Sequence, residues 1–286
     1  MEIDTFITIF RKINIMRIGW FKNQWGDPQK LALPICDRGL NLGDGLFETV
    51  QILNGKPQLL NEHIERLQRS SLILGLPTPP TFMEVQKLLN ENPLEIVSSK
   101  KDAILRLNWS RGNSLFRGTK ISSVEKESPK PNFWIEINIA KPSFSIINTT
   151  ISKNEYRNEK SSLSSCKTLS YTQSIKAKID ANLYGYDDAI LLNTSGKLCC
   201  GSTSNILIYR KNKWLTPAKE SGCLPGIMRQ QGISKRIIYE ENLSPDPMTD
   251  DYWMLINSVG CHPIRKINNL KLKVFPEAYK FWKSLI

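Results

Sequence analysis

Alternating apolar and polar residues predict short β-strands in both halves of the chain. Such alternation is typical of a strand with one buried face. It runs through residues 103–109, 133–139, 145–151 and 252–257. An uninterrupted apolar run at 189–192 predicts a further, fully buried strand.

Helices are predicted where apolar residues recur at helical spacing between start and stop residues. The clearest helix has Asn61 as its expected cap and a stop at Gly75–Pro77, with Ile64 and Leu67 on its buried stripe. Arg66 lies at the edge of that stripe, where an arginine is usually solvated or ion-paired. Further helices are expected at about 82–90, within 168–178, from Ile227, and near 276–285.

A break in the alternating pattern at Lys141-Pro142 predicts a domain boundary near residue 141. The predicted organisation is an N-terminal extension at 1–16 without an assigned role, an N-terminal α/β domain at 17–140 and a C-terminal domain at 141–286. A length of 286 residues suits two domains of ordinary size. The glycine-rich stretch 36–45 is expected to be a loop, and its spacing excludes a dinucleotide or P-loop fingerprint.

Composition indicates an ordinary globular protein, with 40% hydrophobic and 23% charged residues. No apolar run approaches the roughly 20 residues that a membrane helix needs, so no membrane association is expected. The acidic start lacks the layout of a signal peptide, and we therefore expect a cytoplasmic protein.

The net charge of +12 arises from scattered lysines and arginines. Because no basic run is interleaved with aromatic residues, no nucleic-acid partner is expected, and the charge favours small anionic molecules. Six cysteines and two histidines show no zinc spacing. Free thiols and no metal site are therefore expected.

The candidate chemistry centres on Lys167. This residue follows a small polar loop and precedes a predicted helix, opposite the Gly-Ser-Thr-Ser-Asn loop at 201–205. Such a lysine can act as an amine nucleophile beside an anion-binding loop. A second anion-binding site is predicted at the start of the helix at Ile227, which follows a glycine. The free N–H groups and the positive end of the helix dipole point the same way there. Most lysines are solvated, so the case for a catalytic role of Lys167 depends on the motifs elsewhere in the chain.

A set of short motifs supplies that context through its order and spacing. The motifs are Asp37-Arg38-Gly39, residues 43–49 and 62–67, Arg106 with Ser110-Arg111-Gly112, residues 167–171 and 201–205, Thr216-Pro217, residues 224–229 and Asn257-Ser258. Over roughly residues 18–265 they resemble the class IV aminotransferase family, whose members are fold-type IV enzymes that use pyridoxal 5'-phosphate (PLP).

The resemblance implies a small N-terminal α/β domain, a larger C-terminal β pseudobarrel domain, PLP between the two domains, and a homodimer. Lys167 matches the lysine that holds PLP covalently, and Arg66 matches the arginine that binds the cofactor phosphate. Ile227 and Met228 match the pair whose backbone N–H groups bind the same phosphate. The remaining matches are the ring-lining Thr203 and Ser204, a candidate partner of the ring hydroxyl at Tyr171, and candidate substrate-binding residues at Arg106, Arg111, Arg117 and Asn257.

Two positions depart from the family. Met228 stands where many members have threonine, which removes a hydroxyl but leaves the backbone N–H. Cys200 stands where the family places the glutamate that keeps the pyridine nitrogen protonated. A neutral thiol is a weak donor and a weak acceptor, so the ring is expected to withdraw electrons less well.

Three interpretations of Cys200 stay open: a degenerate PLP binder, a transaminase in which another group replaces the glutamate, or a reaction that needs little electron withdrawal. Loss of pyruvate from 4-amino-4-deoxychorismate creates an aromatic ring and fits the third. We therefore predict an aminodeoxychorismate lyase-like enzyme that gives 4-aminobenzoate for folate synthesis. The alternatives are a class IV aminotransferase acting on branched-chain or D-amino acids and a non-catalytic PLP-binding homologue.

Overall fold

The computed structural model describes residues 17–91, 100–114, 116, 118–121 and 130–286. The predicted extension at 1–16 and the candidate residue Arg117 lie outside them. The chain divides into two compact units between Lys141 and Pro142. In the described part, no helix is both long and apolar enough to cross a bilayer.

The first unit contains a six-stranded antiparallel sheet in the order β2-β1-β6-β5-β3-β4. Its strands are β1 (Arg17–Phe21), β2 (Gln24–Gly26), β3 (Gly45–Leu53), β4 (Lys56–Pro57), β5 (Ala103–Ser110) and β6 (Asn132–Ile139). Its described helices are α1 (Arg38–Leu42), α2 (Leu60–Leu74) and α3 (Phe82–Asn90). Alternate residues of β3 and β5 face α2 and α3, which buries Val50, Leu105 and Leu107 against Ile64 and Val85. The predicted strands of this half and the helix at 82–90 are confirmed.

The start of α2 differs from the prediction. The helix begins at Leu60, after Leu59 in a left-handed conformation (φ 54°) and without a side-chain cap. Asn61 instead donates a hydrogen bond to Glu65 within the helix. The predicted stop is confirmed, since Gly75 ends the helix at φ 59°.

The glycine-rich stretch 36–45 also differs, because it contains the one-turn helix α1. The Asp37 side chain accepts a hydrogen bond from the Leu40 N–H at the start of α1, and Gly43 ends the helix at φ 66°. A strong cap at each end stabilises this short helix inside what the sequence suggests is a loop.

The second unit is built on a nine-stranded sheet. Its strands are β7 (Ile147–Arg157), β8 (Asp188–Asn193), β9 (Leu198–Gly201), β10 (Asn205–Arg210), β11 (Lys213–Pro217), β12 (Ile238–Glu241), β13 (Tyr252–Asn257), β14 (Gly260–Ile267) and β15 (Leu270–Lys271). The described helices are α4 (Thr172–Leu183), α5 (Ile227–Ser234) and α6 (Ala278–Ser284). Strands β10, β13, β14, β7, β8 and β9 pair in turn, and β9 pairs back with β10.

This ring of strands is the predicted pseudobarrel, and it confirms the fold class. Ile190, Ile206, Trp253, Leu255 and Ile264 form its apolar interior. Closure removes the free sheet edges within the ring and fixes the register of the β9–β10 hairpin, whose loop carries part of the candidate site.

Candidate active site

Lys167 and Tyr171 are neighbours in the second unit. Lys167 follows the 3₁₀ turn Ser162–Ser165, and Tyr171 is the residue that precedes α4. The Lys167 Nζ donates a hydrogen bond to the Tyr171 hydroxyl at 3.2 Å and lies 5.1 Å from the centroid of the same ring. Both side chains are half-buried. The lysine is therefore held in one orientation and has not been left as a solvated surface group.

The start of α5 is formed as predicted, with Gly226 as the residue before Ile227 and Met228. The first N–H groups of a helix have no acceptor within it, so they are available to an anion. A Cβ atom on Gly226 would lie 2.0 Å from Asn205 Oδ1, which explains why glycine is needed here. Asn205 Nδ2 also donates to the Leu224 carbonyl at 2.8 Å, and this bond fixes the approach to the helix.

The loop at 201–204 is a tight connection between β9 and β10. The Gly201 N–H donates to the Ser204 carbonyl at 2.8 Å. Asn257 Nδ2 donates to Ser204 Oγ at 3.0 Å, so the structure brings these two predicted residues together. Thr203 is exposed at the tip. Ser202 Oγ is buried and has no hydrogen-bond partner within the described residues.

Cys200 lies opposite Asn205 in the β9–β10 pair and is 5% exposed. A β-bulge precedes it: Leu198 pairs with Leu192 and Cys200 with Leu191, so Cys199 is an extra residue in β9. Adjacent side chains on a regular strand point to opposite faces, but a bulge places two residues against one. Cys199 and Cys200 accordingly share one buried cluster with Cys223.

The surroundings shift the pKa values of the two thiols in opposite directions. The neighbouring Cys199 thiol and the Arg157 guanidinium lower the pKa of Cys200 below its usual range despite burial. The neighbouring Cys200 and burial raise the pKa of Cys199.

Arg157, the last residue of β7, was not predicted from the sequence. Its Nη1 donates to Gln173 Oε1 at 3.1 Å and its Nη2 to Ser174 Oγ at 2.9 Å, both in the first turn of α4. Burial lowers the pKa of Arg157, but the facing Cys200 more than reverses that shift. No local motif marks this residue; strand pairing places it opposite Asn193 of β8, and β8 also pairs with β9, the strand that contains Cys200.

In the first unit, Arg66 is not at a solvated edge, since it is only 4% exposed. Its Nε donates to Glu48 Oε1 at 2.8 Å and its Nη2 to Glu48 Oε2 at 2.5 Å, while His63 Nδ1 lies 2.7 Å from the same carboxylate. Burial alone would raise the pKa of Glu48, but Arg66 and His63 lower it to about 2. Glu48 lies on the face of β3 that is otherwise apolar. A charged residue among alternating apolar positions of a strand indicates a buried ion pair, and the sequence therefore contained a signal for it.

The candidate substrate arginines have different surroundings. Arg106 lies over the Phe47 ring, 3.8 Å from its centroid, and donates to Asn108 at 2.8 Å. Arg111 donates to Asp44 and to the carbonyls of Leu74 and Gly75 at the end of α2. Its nitrogens thus stabilise the fold of the first unit, and this geometry favours a structural role for Arg111.

Comparisons with known proteins show the family of the chain. The family model for amino-transferase class IV matches residues 45–267. The chain therefore belongs to the class IV aminotransferase family. This confirms the resemblance seen in the motifs, together with the fold, the enzyme class and the PLP cofactor that the resemblance implies.

Named relatives are mostly aminotransferases. A Methanocaldococcus jannaschii protein provisionally named as a branched-chain-amino-acid aminotransferase is 28% identical over 80% of this chain and 78% of its own length. The branched-chain aminotransferase of Thermoproteus uzoniensis, solved with norvaline, is 26% identical, covers 94% of this chain and 93% of its own, and has a TM-score of 0.78. A Legionella pneumophila structure provisionally named as a 4-amino-4-deoxychorismate lyase is 25% identical, with 91% and 96% coverage and a TM-score of 0.76.

Proposed function

We propose that this protein is a PLP-dependent aminotransferase that acts on an aliphatic amino acid. The names of the relatives support amino transfer better than the lyase reaction expected from the sequence. The observation that carries the proposal is the oriented Lys167 amine, whose Nζ donates to the Tyr171 hydroxyl at 3.2 Å in a chain whose named relatives are mostly aminotransferases.

The residues present fit PLP. Lys167 offers an oriented amine for an aldehyde, and the start of α5 offers N–H donors for a phosphate. The buried Ser202 Oγ, which has no hydrogen-bond partner in the part of the chain that the structure describes, offers a further polar atom in the adjoining loop. Arg66, oriented by Glu48, would contribute charge to the phosphate, and Thr203, Ser204 and Asn257 would line the ring and substrate.

When bound, PLP withdraws the electrons released at the substrate's α-carbon. Lys167 Nζ would accept the proton from that carbon and later release it, and it would thus be the base that amino transfer requires. Tyr171 would keep Nζ in place through their hydrogen bond. Arg106, on the sheet face away from the helices, is the proposed partner of the substrate carboxylate.

The test is a direct assay of products. Purified protein with PLP would be given L-leucine, L-valine or D-alanine with 2-oxoglutarate, and glutamate and the new 2-oxo acid would be measured together. We expect both products in equal amounts, and neither from the Lys167→Ala variant. A protein that forms neither product from any donor while binding PLP would contradict the proposal and favour a non-catalytic binder.

Aminodeoxychorismate lyase is the second candidate function. The Legionella protein supports it, as does the Ile-Met-Arg-Gln sequence at the start of α5. Release of pyruvate from 4-amino-4-deoxychorismate, without amino transfer to 2-oxoglutarate, would replace the aminotransferase with the lyase.

A homodimer and a cytoplasmic location are further parts of the proposal. The family resemblance supports the dimer, and light scattering of the purified protein tests it. The cysteines of the described residues form no disulfide bonds, including the buried Cys199, Cys200 and Cys223, which suits a reducing compartment.

A further inference from the structure

Arg106, Asn108 and Phe47 form one group on the sheet face of the first unit that points away from α2 and α3. Residues two apart on a strand share a face, so Arg106 and Asn108 lie side by side on β5. The antiparallel register places Phe47 of β3 directly opposite Asn108. Side chains in such a cross-strand pair are close enough to contact each other and their diagonal neighbours. Strand register therefore brings the three residues together, although Phe47 is distant from the other two in sequence.

Two contacts fix the direction of the Arg106 guanidinium. Its Nε donates to Asn108 Oδ1 at 2.8 Å, and its central carbon lies 3.8 Å from the centroid of the Phe47 ring. A cation this close to the centroid lies over the ring face, where the π electrons attract it. Asn108 is itself only 1% exposed, and its Nδ2 donates to the Trp134 carbonyl at 3.4 Å. Both ends of the Asn108 amide are thus bonded, and the amide holds the arginine from a fixed position.

The charges of the neighbouring groups explain why an amide suits this position. Glu136 of β6 lies directly opposite Arg106 in the sheet, and its carboxylate forms a salt bridge with Arg17 of β1. The partner that orients the Arg106 Nε is an amide oxygen, which accepts a hydrogen bond but has no charge. Asn108 therefore orients the guanidinium without itself supplying a negative charge that would compete with a bound carboxylate.

We propose that Asn108 is a positioning residue, which holds the Arg106 guanidinium ready for the substrate carboxylate and, because it is neutral, preserves the preference of Arg106 for that anion. The inference rests on the proposed function, in which Arg106 binds the carboxylate of the amino acid. A guanidinium can bind a carboxylate through two parallel hydrogen bonds only when its plane has the right orientation. The substrate class is therefore a free amino acid with an ionised carboxylate, and its amide should bind more weakly.

Equilibrium binding to the full chain loaded with PLP tests the proposal without turnover. The probes are 4-methylpentanoate, which has the carbon skeleton of leucine without the amino group, and the neutral 4-methylpentanamide. Isothermal titration calorimetry should show that the wild type binds the carboxylate at least about tenfold more tightly than the amide. Asn108→Leu keeps the branched shape of the side chain but removes the acceptor of the Arg106 hydrogen bond. This variant should lose most of the preference for the carboxylate.

Asn108→Asp separates positioning from a role in the fold. Aspartate keeps an acceptor for Arg106 Nε, but its charge competes with the carboxylate of the probe. We expect the preference for 4-methylpentanoate to fall at least about tenfold, while the affinity for 4-methylpentanamide and the urea unfolding midpoint stay near those of the wild type. A role in the fold alone would change the affinities for both probes equally or not at all. Asn90→Asp, the same substitution at the exposed end of α3, is the control and should bind both probes like the wild type.

The outcomes distinguish this inference from the proposed function. A wild type without preference for the carboxylate, or an Asn108→Asp variant that retains the full preference, would overturn the inference. With leucine and 2-oxoglutarate, both Asn108 variants should raise KM by a larger factor than they lower kcat, because the lost interaction is one of binding. Since neither probe reacts, a protein that prefers the carboxylate but forms no glutamate from any donor would contradict the proposed function alone.

Discussion

Replacement of Glu48 by glutamine tests the buried ion pair that orients Arg66. Glu48 is 1% exposed and accepts two hydrogen bonds from Arg66, with His63 on the same carboxylate. Glutamine keeps the size of the side chain but removes its charge and one acceptor oxygen. The Arg66 guanidinium is then left buried without a full counter-charge.

The expected cost follows from the pKa of Glu48. That pKa is lowered from 4.5 to about 2, because Arg66 and His63 outweigh the opposing effect of burial. At about 1.4 kcal/mol per pH unit, the shift corresponds to roughly 3 kcal/mol of stabilisation at neutral pH. Breaking a buried ion pair elsewhere costs about 3–5 kcal/mol, which is the same range.

The pH dependence of this stabilisation has a definite sign. Because the folded-state pKa of Glu48 is depressed, the contribution is complete above pH 4.5, the unfolded value, and is lost as the pH falls towards about 2. The difference in unfolding free energy between wild type and Glu48→Gln should therefore shrink over that acidic range and stay constant near neutral pH.

Urea unfolding at neutral pH is the assay, and Glu65→Gln is the matched control on α2. The Glu65–Arg69 pair is exposed, with 3.6 Å between the charged atoms, and should contribute under about 0.5 kcal/mol. We expect Glu48→Gln to lose roughly 3 kcal/mol and to bind PLP more weakly. A loss as small as that of Glu65→Gln would refute the reasoning.

Two further variants address the second unit. Gly226→Ala would place a Cβ 2.0 Å from Asn205 Oδ1, so PLP titration should show at least about tenfold weaker binding. Gly26→Ala, where the new Cβ meets only a flexible side chain at 3.7 Å, should leave binding unchanged, and equal effects would contradict the clash. Tyr171→Phe removes the acceptor of the Lys167 hydrogen bond, which contributes about 1 kcal/mol. Steady-state kinetics should therefore show kcat reduced by several-fold. An unaltered kcat would exclude a role for that bond.

The elements that the sequence predicts well are those with a local signal. Strand β13 and helix α3 follow from periodicity alone, and the stop of α2 follows from Gly75. The start of α2 was predicted wrongly, because Asn61 is a good cap by type but its side chain binds Glu65. The preference of asparagine for the capping position is overridden there by a side-chain hydrogen bond within the helix.

The site is less predictable where it depends on distant strands. Lys167, Tyr171 and the start of α5 are recognisable because each lies in a continuous motif. Arg157 and the bulge at Cys199 are not, because the partners of the arginine lie on α4 and the bulge depends on strand register.

The proposed function requires that Lys167 binds PLP covalently. The most direct measurement is an absorbance spectrum of the purified protein with PLP, followed by borohydride reduction and peptide mapping by mass spectrometry. We expect a visible band that disappears on reduction and a pyridoxyl group on the peptide that contains Lys167. A colourless protein that takes up no PLP, or a label on a different lysine, would contradict it.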